Sequence, residues 1–351
     1  MAGTTRAAEA AGYDVLVVGG CGVDTIVRVD ALPVPPADSL GVPPIREWVG
    51  HTGTGVALGC DALGLATGFA DFIGEDRLGD MVRERLSRSS VDFRPLVSPH
   101  GTRRAVNLVD DEGRRMSFYD GRDPVDLRMP RDFYLPLLRR ARHVHLSIMH
   151  FARFLLDDLE GSGTTVSTDL HDWDGRAAHH RDFALRSDLV FLSAAAIGGR
   201  VPEVLGGILR EGRARTVVAT DGANGCWVLT RADVRAADGP GGPGAGPRHF
   251  PAVRPPAPVV DSNGAGDAFV SGFLHGYLAG RPVEECALLG SVSGAYACTG
   301  EGTHSALIDA AGLAAGAEAA GPGWDAGQAG DAGRPGTPGS GEPGHRAGRS
   351  N

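Results

Sequence analysis

Apolar residues fall in short blocks separated by Gly, Pro and charged punctuation, and the blocks switch between two periods. Tyr13-Asp-Val-Leu-Val-Val-Gly-Gly20 is a near-continuous apolar run ending in glycines, which predicts a first, fully buried strand. Ile26 to Val29 continues in β-type residues, and Pro33, Pro35, Pro36, Pro43 and Pro44 then leave a loop or edge strands up to Arg46. Small and apolar residues from Gly55 to Leu65 suit a closely packed helix. Ala66 to Ile73 reads as a strand, and Met81, Val82 and Leu86 give helical spacing to Gly79–Ser89. Arg104–Val109 and Arg115–Tyr119 flank Asp110-Asp-Glu-Gly113, the pattern of a β-hairpin.

Beyond residue 130 the two periods alternate. Strand-like runs are His143–Ile148, Thr164–Thr168, Leu189–Leu192 and Thr216–Ala219. Helix-like runs are Arg131–Arg140, His150–Glu160, Arg176–Arg186 and Val201–Glu211. Such alternation predicts a mostly parallel sheet with helices on both faces. Asp238–Gly246 is Gly- and Pro-rich and reads as a flexible loop; Ala268–Ala279 and Val283–Thr299 read as apolar helices. Residues 1–12, and the Ala/Gly/Pro-rich stretch from 311 to 351, lack the large apolar side chains that offset the entropy of ordering and are expected to be disordered.

Composition narrows the chemistry. The chain has 351 residues, of which 42% are hydrophobic and 22% charged, as in one large globular domain or two small ones. A net charge of -9 argues against a nucleic-acid partner, which requires clustered cations. Lysine is absent throughout, which excludes a Walker A loop, a pyridoxal Schiff base and a protein-kinase strand lysine. The cysteines at 21, 60, 226, 286 and 298 form no C-x-x-C pair, and no apolar run reaches membrane-spanning length; a reduced cytoplasmic protein is expected.

The segment richest in chemistry runs from Val259 to Phe273. A strand leads into Gly264-Ala265-Gly266, and a helix follows from about Asp267. Glycines permit tight backbone geometry, and N–H groups at a helix start form an anion hole suited to a phosphate. A carboxylate in the first helical turn then lies beside that phosphate and can take the proton of an attacking hydroxyl. For a bare G-x-G-D, a plain turn with Asp267 as helix cap is an equally good reading.

The longer string decides between them. Asp261-Ser-Asn-Gly-Ala-Gly-Asp-Ala-Phe269, followed by Val270-Ser-Gly-Phe273, resembles the D-T-x-G-A-G-D-x-F…G-F signature of the ribokinase-type (PfkB) carbohydrate kinases, with Ser262 for Thr. The resemblance extends over residues 13–308. Gly20-Cys-Gly-Val-Asp24 is similar to the family's first strand end, where an Asp binds substrate hydroxyls. Gly50–Gly64 resembles its glycine-rich substrate segment, Phe72–Gly79 its G-x-D-x-x-G element, and Val217–Gly225 its nucleotide-binding T-x-G-x-x-G. The resemblance implies a three-layer α/β sandwich over residues 13–310, with a small β lid from about 25–48 and 102–120. It also implies ATP with Mg²⁺ as donor system, a sugar or nucleoside acceptor, and a homodimer through the lid. Carried onto this chain, it makes Asp267 the catalytic base and Gly264, Ala265 and Gly266 the anion hole. Asp24, Gly53 and Gly55 fall on the substrate, and Thr220, Asp221, Gly222 and Gly225 on the nucleotide.

Three departures from the pattern matter. Gly55 stands where a sugar-binding Asn is usual. Ser193 and Ala196 stand in place of an N-x-x-E pair that organises Mg²⁺, so the metal ligands are left unknown, with Asp169 or Asp172 as substitutes. Asn263 replaces a residue near the monovalent-cation loop, which leaves K⁺ open. A second reading, a ligand-binding or regulatory relative that keeps the fold, rests on these absences. A third, a Rossmann dehydrogenase, rests only on the alternating pattern and on Gly20-x-Gly22, with Thr25 in place of a third Gly. His143 and His145 alternate on a strand and read as ordinary strand residues. His171-Asp-Trp-Asp174 follows a strand end and is either a ligand-side element or a loop. Arg103 and Arg104 read either as substrate contacts from the lid or as a solvated strand face, and Trp48 and Phe118 either as a stacking platform for a nucleoside or as core.

Overall fold

Strand β1 (Tyr13–Val18) runs through a nine-stranded sheet because both of its faces are apolar: Leu16 and Val18 pack into one hydrophobic cluster, Val15 and Val17 into another. The structure is a computed structural model that describes residues 12–111, 113–237, 246–321 and 324. The remaining strands are β2 (Gly22–Arg28), β3 (Arg46–Gly50), β4 (Thr67–Ile73), β5 (Asp92–Val97), β6 (Arg104–Val109) and β7 (Arg115–Asp120), then β8 (Ala141–Ser147), β9 (Thr165–Asp169), β10 (Leu189–Ser193), β11 (Thr216–Thr220), β12 (Cys226–Thr230) and β13 (Arg248–Phe250). The helices are α1 (Thr52–Ala62), α2 (Arg77–Leu86), α3 (Arg131–Leu138), α4 (Leu156–Leu159), α5 (Ala178–Arg186), α6 (Val201–Glu211), α7 (Arg231–Ala237), α8 (Ala265–Leu278), α9 (Val283–Ala297) and α10 (Ala310–Ala320).

The large sheet has the order β13-β12-β11-β10-β9-β8-β1-β4-β5 and is parallel from β5 to β11. Helices α3 to α6 cover one face and α1, α2, α8 and α9 the other, giving the expected three-layer ribokinase-like sandwich. The C-terminal ends of the parallel strands therefore converge on one edge, where open α/β sheets bind ligands. A second sheet, β3-β2-β6-β7, forms the lid. Asp24, Ala105 and Tyr119 share its inner face with Trp48, as their register shows.

Arg103 fastens the lid to the core. Its side chain is almost fully buried, ion-paired to Asp71 at the end of β4 and to Asp123, and it donates to the carbonyls of Cys21 (3.1 Å) and Phe72 (2.9 Å). It is thus neither a substrate contact reaching down from the lid nor a solvated strand residue. Arg104, by contrast, is exposed and pairs with Asp120. Removing one partner of such a buried pair costs about 3–5 kcal/mol, because the other charge is left unpaired.

The elements differ from the sequence expectation at informative places. β5 is absent from that reading because Pro95 and two charged residues interrupt its pattern; as the edge strand it tolerates proline. The stretch from 311, expected to be disordered, begins with helix α10. Alanine favours helix, Asp309 caps the Gly312 N–H at 2.7 Å, and Leu313 packs with Leu63, Val292 and Ile308. Farther along, Trp324 stacks on Phe250 with ring centroids 5.1 Å apart. Residues 1–11 and 238–245, like most of the stretch after 321, lie outside the described residues.

Candidate active site

Helix α8 begins at Gly264, whose left-handed backbone (φ 82°) turns the chain from the loop into the helix. The N–H of Ala265 is engaged by the Ser262 carbonyl at 3.3 Å, whereas those of Gly264, Gly266 and Asp267 have no hydrogen-bond partner among the described residues. A Cβ at Gly266 would meet nothing within 4 Å, so the backbone here is open to an approaching group. Asp267 lies in the first turn and is 7% exposed. Its Oδ2 is 2.7 Å from Nε2 of His304. The α8 N-terminus thus combines unpaired donors with a held carboxylate, the pairing that stabilises charge on a phosphoryl group and accepts a proton.

Asp24 comes from β2 on the lid's inner face and is also buried. Its carboxylate lies 3.5 Å from Nε2 of His51, the residue before α1. Burial pushes the His51 imidazole down to about 4, against the pull of Asp24, so it is neutral near pH 7. The loop Asp261–Asn263 is tied to the lid as well: Arg28 donates to Asp261 (2.8 Å) and Arg115 to Asn263 Oδ1 (2.9 Å).

The glycines of α1 explain its small-residue character. A Cβ at Gly59 would lie 2.4 Å from Ser271 Oγ, and one at Gly55 would lie 2.6 Å from the Cβ of Asp267, so α1 crosses α8 at close range. Gly53 packs its backbone on the carbonyl of Gly19. Gly55, read from sequence as leaving open the place of an amide, faces a filled slot: its Cβ would sit 2.2 Å from His304 Nε2.

The second group of predicted residues follows β11. Thr220 pairs in register with Ser193 of β10, and Asp221–Gly225 is a tight turn closed by Asp221 N–H to Gly225 O at 2.7 Å. Gly222 and Gly225 both have positive φ (53° and 106°), so the turn presents backbone rather than side chains. His171-Asp-Trp-Asp174 lies at the C-terminal end of β9, where Trp173 is buried and Asp174 caps the turn into α5. His143 and His145 are buried in the sheet on Thr165 and Ser167 hydroxyls, as ordinary strand residues.

Residues 188–310 match the model of the pfkB family carbohydrate kinases. The acarbose 7(IV)-phosphotransferase of Actinoplanes sp. is 46% identical over 301 residues, which cover 86% of this chain and 97% of that protein. The chain belongs to the pfkB carbohydrate kinase family. Among solved structures, a microbiome-derived acarbose kinase aligns with a TM-score of 0.78 at 44% identity, over 88% of this chain and all (100%) of the other. The ribokinase of Arabidopsis thaliana, solved with ribose and ATP, shares the fold at 18% identity (TM-score 0.69, 88% of this chain and 99% of that one).

A kinase of this family uses ATP, generally with Mg²⁺. No group of three His, Cys, Asp or Glu residues among those described could hold a metal ion. Ser193 caps the following turn through Ala195 N–H at 3.2 Å, and Asp169 accepts the His171 N–H at 2.8 Å. These positions offer no cluster of protein ligands, so Mg²⁺ would be held mainly by nucleotide phosphates and water, with Asp169 and Asp172 as the carboxylates at hand. At the Asp261–Asn263 loop, the Arg28 and Arg115 guanidinium groups take the side-chain oxygens Asp261 Oδ2 and Asn263 Oδ1. Reading the sequence missed His304 and His51. Each stands in a Gly-rich stretch, Gly50-His-Thr-Gly53 and Gly300-Glu-Gly-Thr-His304, and that context was the available signal.

Proposed function

We propose that this kinase transfers the terminal phosphoryl group of ATP to a hydroxyl of an acarbose-type sugar, with Asp267 as general base. The observation that carries the reaction is the buried Asp267 carboxylate in the first turn of α8, beside N–H groups that lack partners. The near-full-length identity to an acarbose phosphotransferase supports the acceptor class. Asp24, with neutral His51 beside it, supplies an acceptor and a donor for sugar hydroxyls on the lid side. Phosphoryl transfer requires mainly positioning and charge stabilisation. Charge on the transferred group falls to the N–H groups of Gly264, Gly266 and Asp267, together with the Mg²⁺ that the nucleotide would carry. The Thr220–Gly225 turn and Ser193 lie along the nucleotide, contacting it chiefly through backbone.

A coupled ADP-release assay across acarbose, ribose, fructose and adenosine tests this reading. Stimulation by acarbose above the monosaccharides and the nucleoside is expected. Stimulation by adenosine alone would move the protein to the nucleoside kinases of the family, and no stimulation by any acceptor would favour a ligand-binding relative.

A further inference from the structure

His304 lies in the loop after α9, and its imidazole enters a slot that exists only because two residues lack side chains. A Cβ on Gly55 would stand 2.2 Å from its Nε2, and one on Gly264 would stand 2.6 Å from its Cδ2. The slot comes from α1 on one side and the N-cap of α8 on the other. The His304 backbone is left-handed (φ 56°), and Arg85 of α2 reaches its carbonyl at 3.4 Å. Among the described non-glycine residues, the others with positive φ are His51 and His171, and the imidazoles of His171 and His304 both act electrostatically on His51. Backbone strain of this kind persists where the surroundings enforce it, and it gathers at functional sites.

The hydrogen bond assigns the proton. A carboxylate only accepts, so the 2.7 Å contact requires N–H on Nε2, while Nδ1 is buried without a partner. We propose that His304 is a positioning residue for the phosphotransfer reaction. By donating Nε2–H to Oδ2 it fixes the rotation of the Asp267 side chain and leaves Oδ1 to meet the acceptor hydroxyl. The inference rests on the reading of Asp267 as base.

The test compares His304→Gln, His304→Leu and His304→Asn with wild type and Asp267→Asn, using ATP and acarbose, with thermal melting and ATP binding of each variant as fold controls. Glutamine places an amide N–H where Nε2 was, leucine fills the slot without a donor, and asparagine is too short to reach. His304→Gln should keep turnover within about threefold of wild type, and His304→Leu and His304→Asn should lose about 10–10²-fold in kcat, the scale of a misplaced reacting group, with the KM for ATP unchanged. Wild-type kcat in His304→Leu, or equal losses in the glutamine and leucine variants, would overturn the positioning role. If leucine prevents folding, the glutamine–asparagine contrast decides in its place. Full activity in Asp267→Asn is a separate outcome that removes the base reading itself.

Discussion

In the set of residues proposed to face the acceptor, Asp24, His51, Asp267 and His304 are all buried side chains held in defined pairs, and two of the four have left-handed backbones. In the set proposed to face the nucleotide, Thr220, Asp221, Gly222 and Gly225 form a short turn whose glycines leave the backbone bare, beside the alanines at 194–196. The first set comes from the lid strand β2, the starts of α1 and α8 and the loop after α9, and the second follows β11 of the large sheet. The difference follows from what each must recognise. A sugar hydroxyl needs a donor or acceptor at a fixed point, and buried pairs supply that. A nucleotide can be read by backbone along a surface, and selectivity then has to come from the other side of the cleft.

The largest effect should come from the acceptor side. Asp267→Asn should lower kcat by about 10²–10⁴-fold, the usual worth of a positioned base, while ATP binding measured by calorimetry stays within a few-fold of wild type. Parallel loss of ATP binding would mean that the two sides are not separable.

Acid should act through the same kind of buried group. The imidazoles of His51, His143 and His145 are pushed down by burial to about 4, about 3 and about 3. In the unfolded chain they titrate near 6.5. The unfolded state therefore binds more protons below that pH, so their contribution is fully present above about 6.5 and is lost as the pH falls toward 4. At most roughly 3 kcal/mol for His51, and roughly 5 kcal/mol for each of His143 and His145 once the pH reaches their lower range, is at stake by linkage. A melting temperature that drops steeply between pH 6.5 and 4 is expected; a flat profile would mean that these rings are solvated.

The smallest effect belongs to the nucleotide turn. A Cβ at Gly225 would lie 2.0 Å from the Phe250 carbonyl at a φ of 106°. Gly225→Ala should raise the KM for ATP by about tenfold, the equivalent of modest backbone strain, and leave the KM for the sugar alone. A change confined to the sugar would reverse the assignment of the two sides.

What the sequence displayed and what it hid divide along physical lines. The β1 run, the 104–120 hairpin and the Asp261–Phe273 string are local, since each carries its own periodicity or turn chemistry. The Asp267–His304 pair spans 37 residues and the Arg103–Asp71 pair 32, and nothing in either neighbourhood announces its partner. Gly55 shows the limit most clearly. Its identity suggested an empty place, and only the packing of α1 on α8 reveals that an imidazole from the far end of the chain fills it. Helix α10 was hidden differently, because Ala-rich composition fits both a disordered tail and a good helix, and the contact of Leu313 decides.

The most direct test is phosphorus NMR of the protein incubated with ATP and acarbose, wild type beside Asp267→Asn. The account predicts a new phosphomonoester signal on the sugar, growing with ADP in wild type and nearly absent in the variant. ADP formed without a sugar phosphate, or the same sugar phosphate made at the same rate by Asp267→Asn, would contradict it.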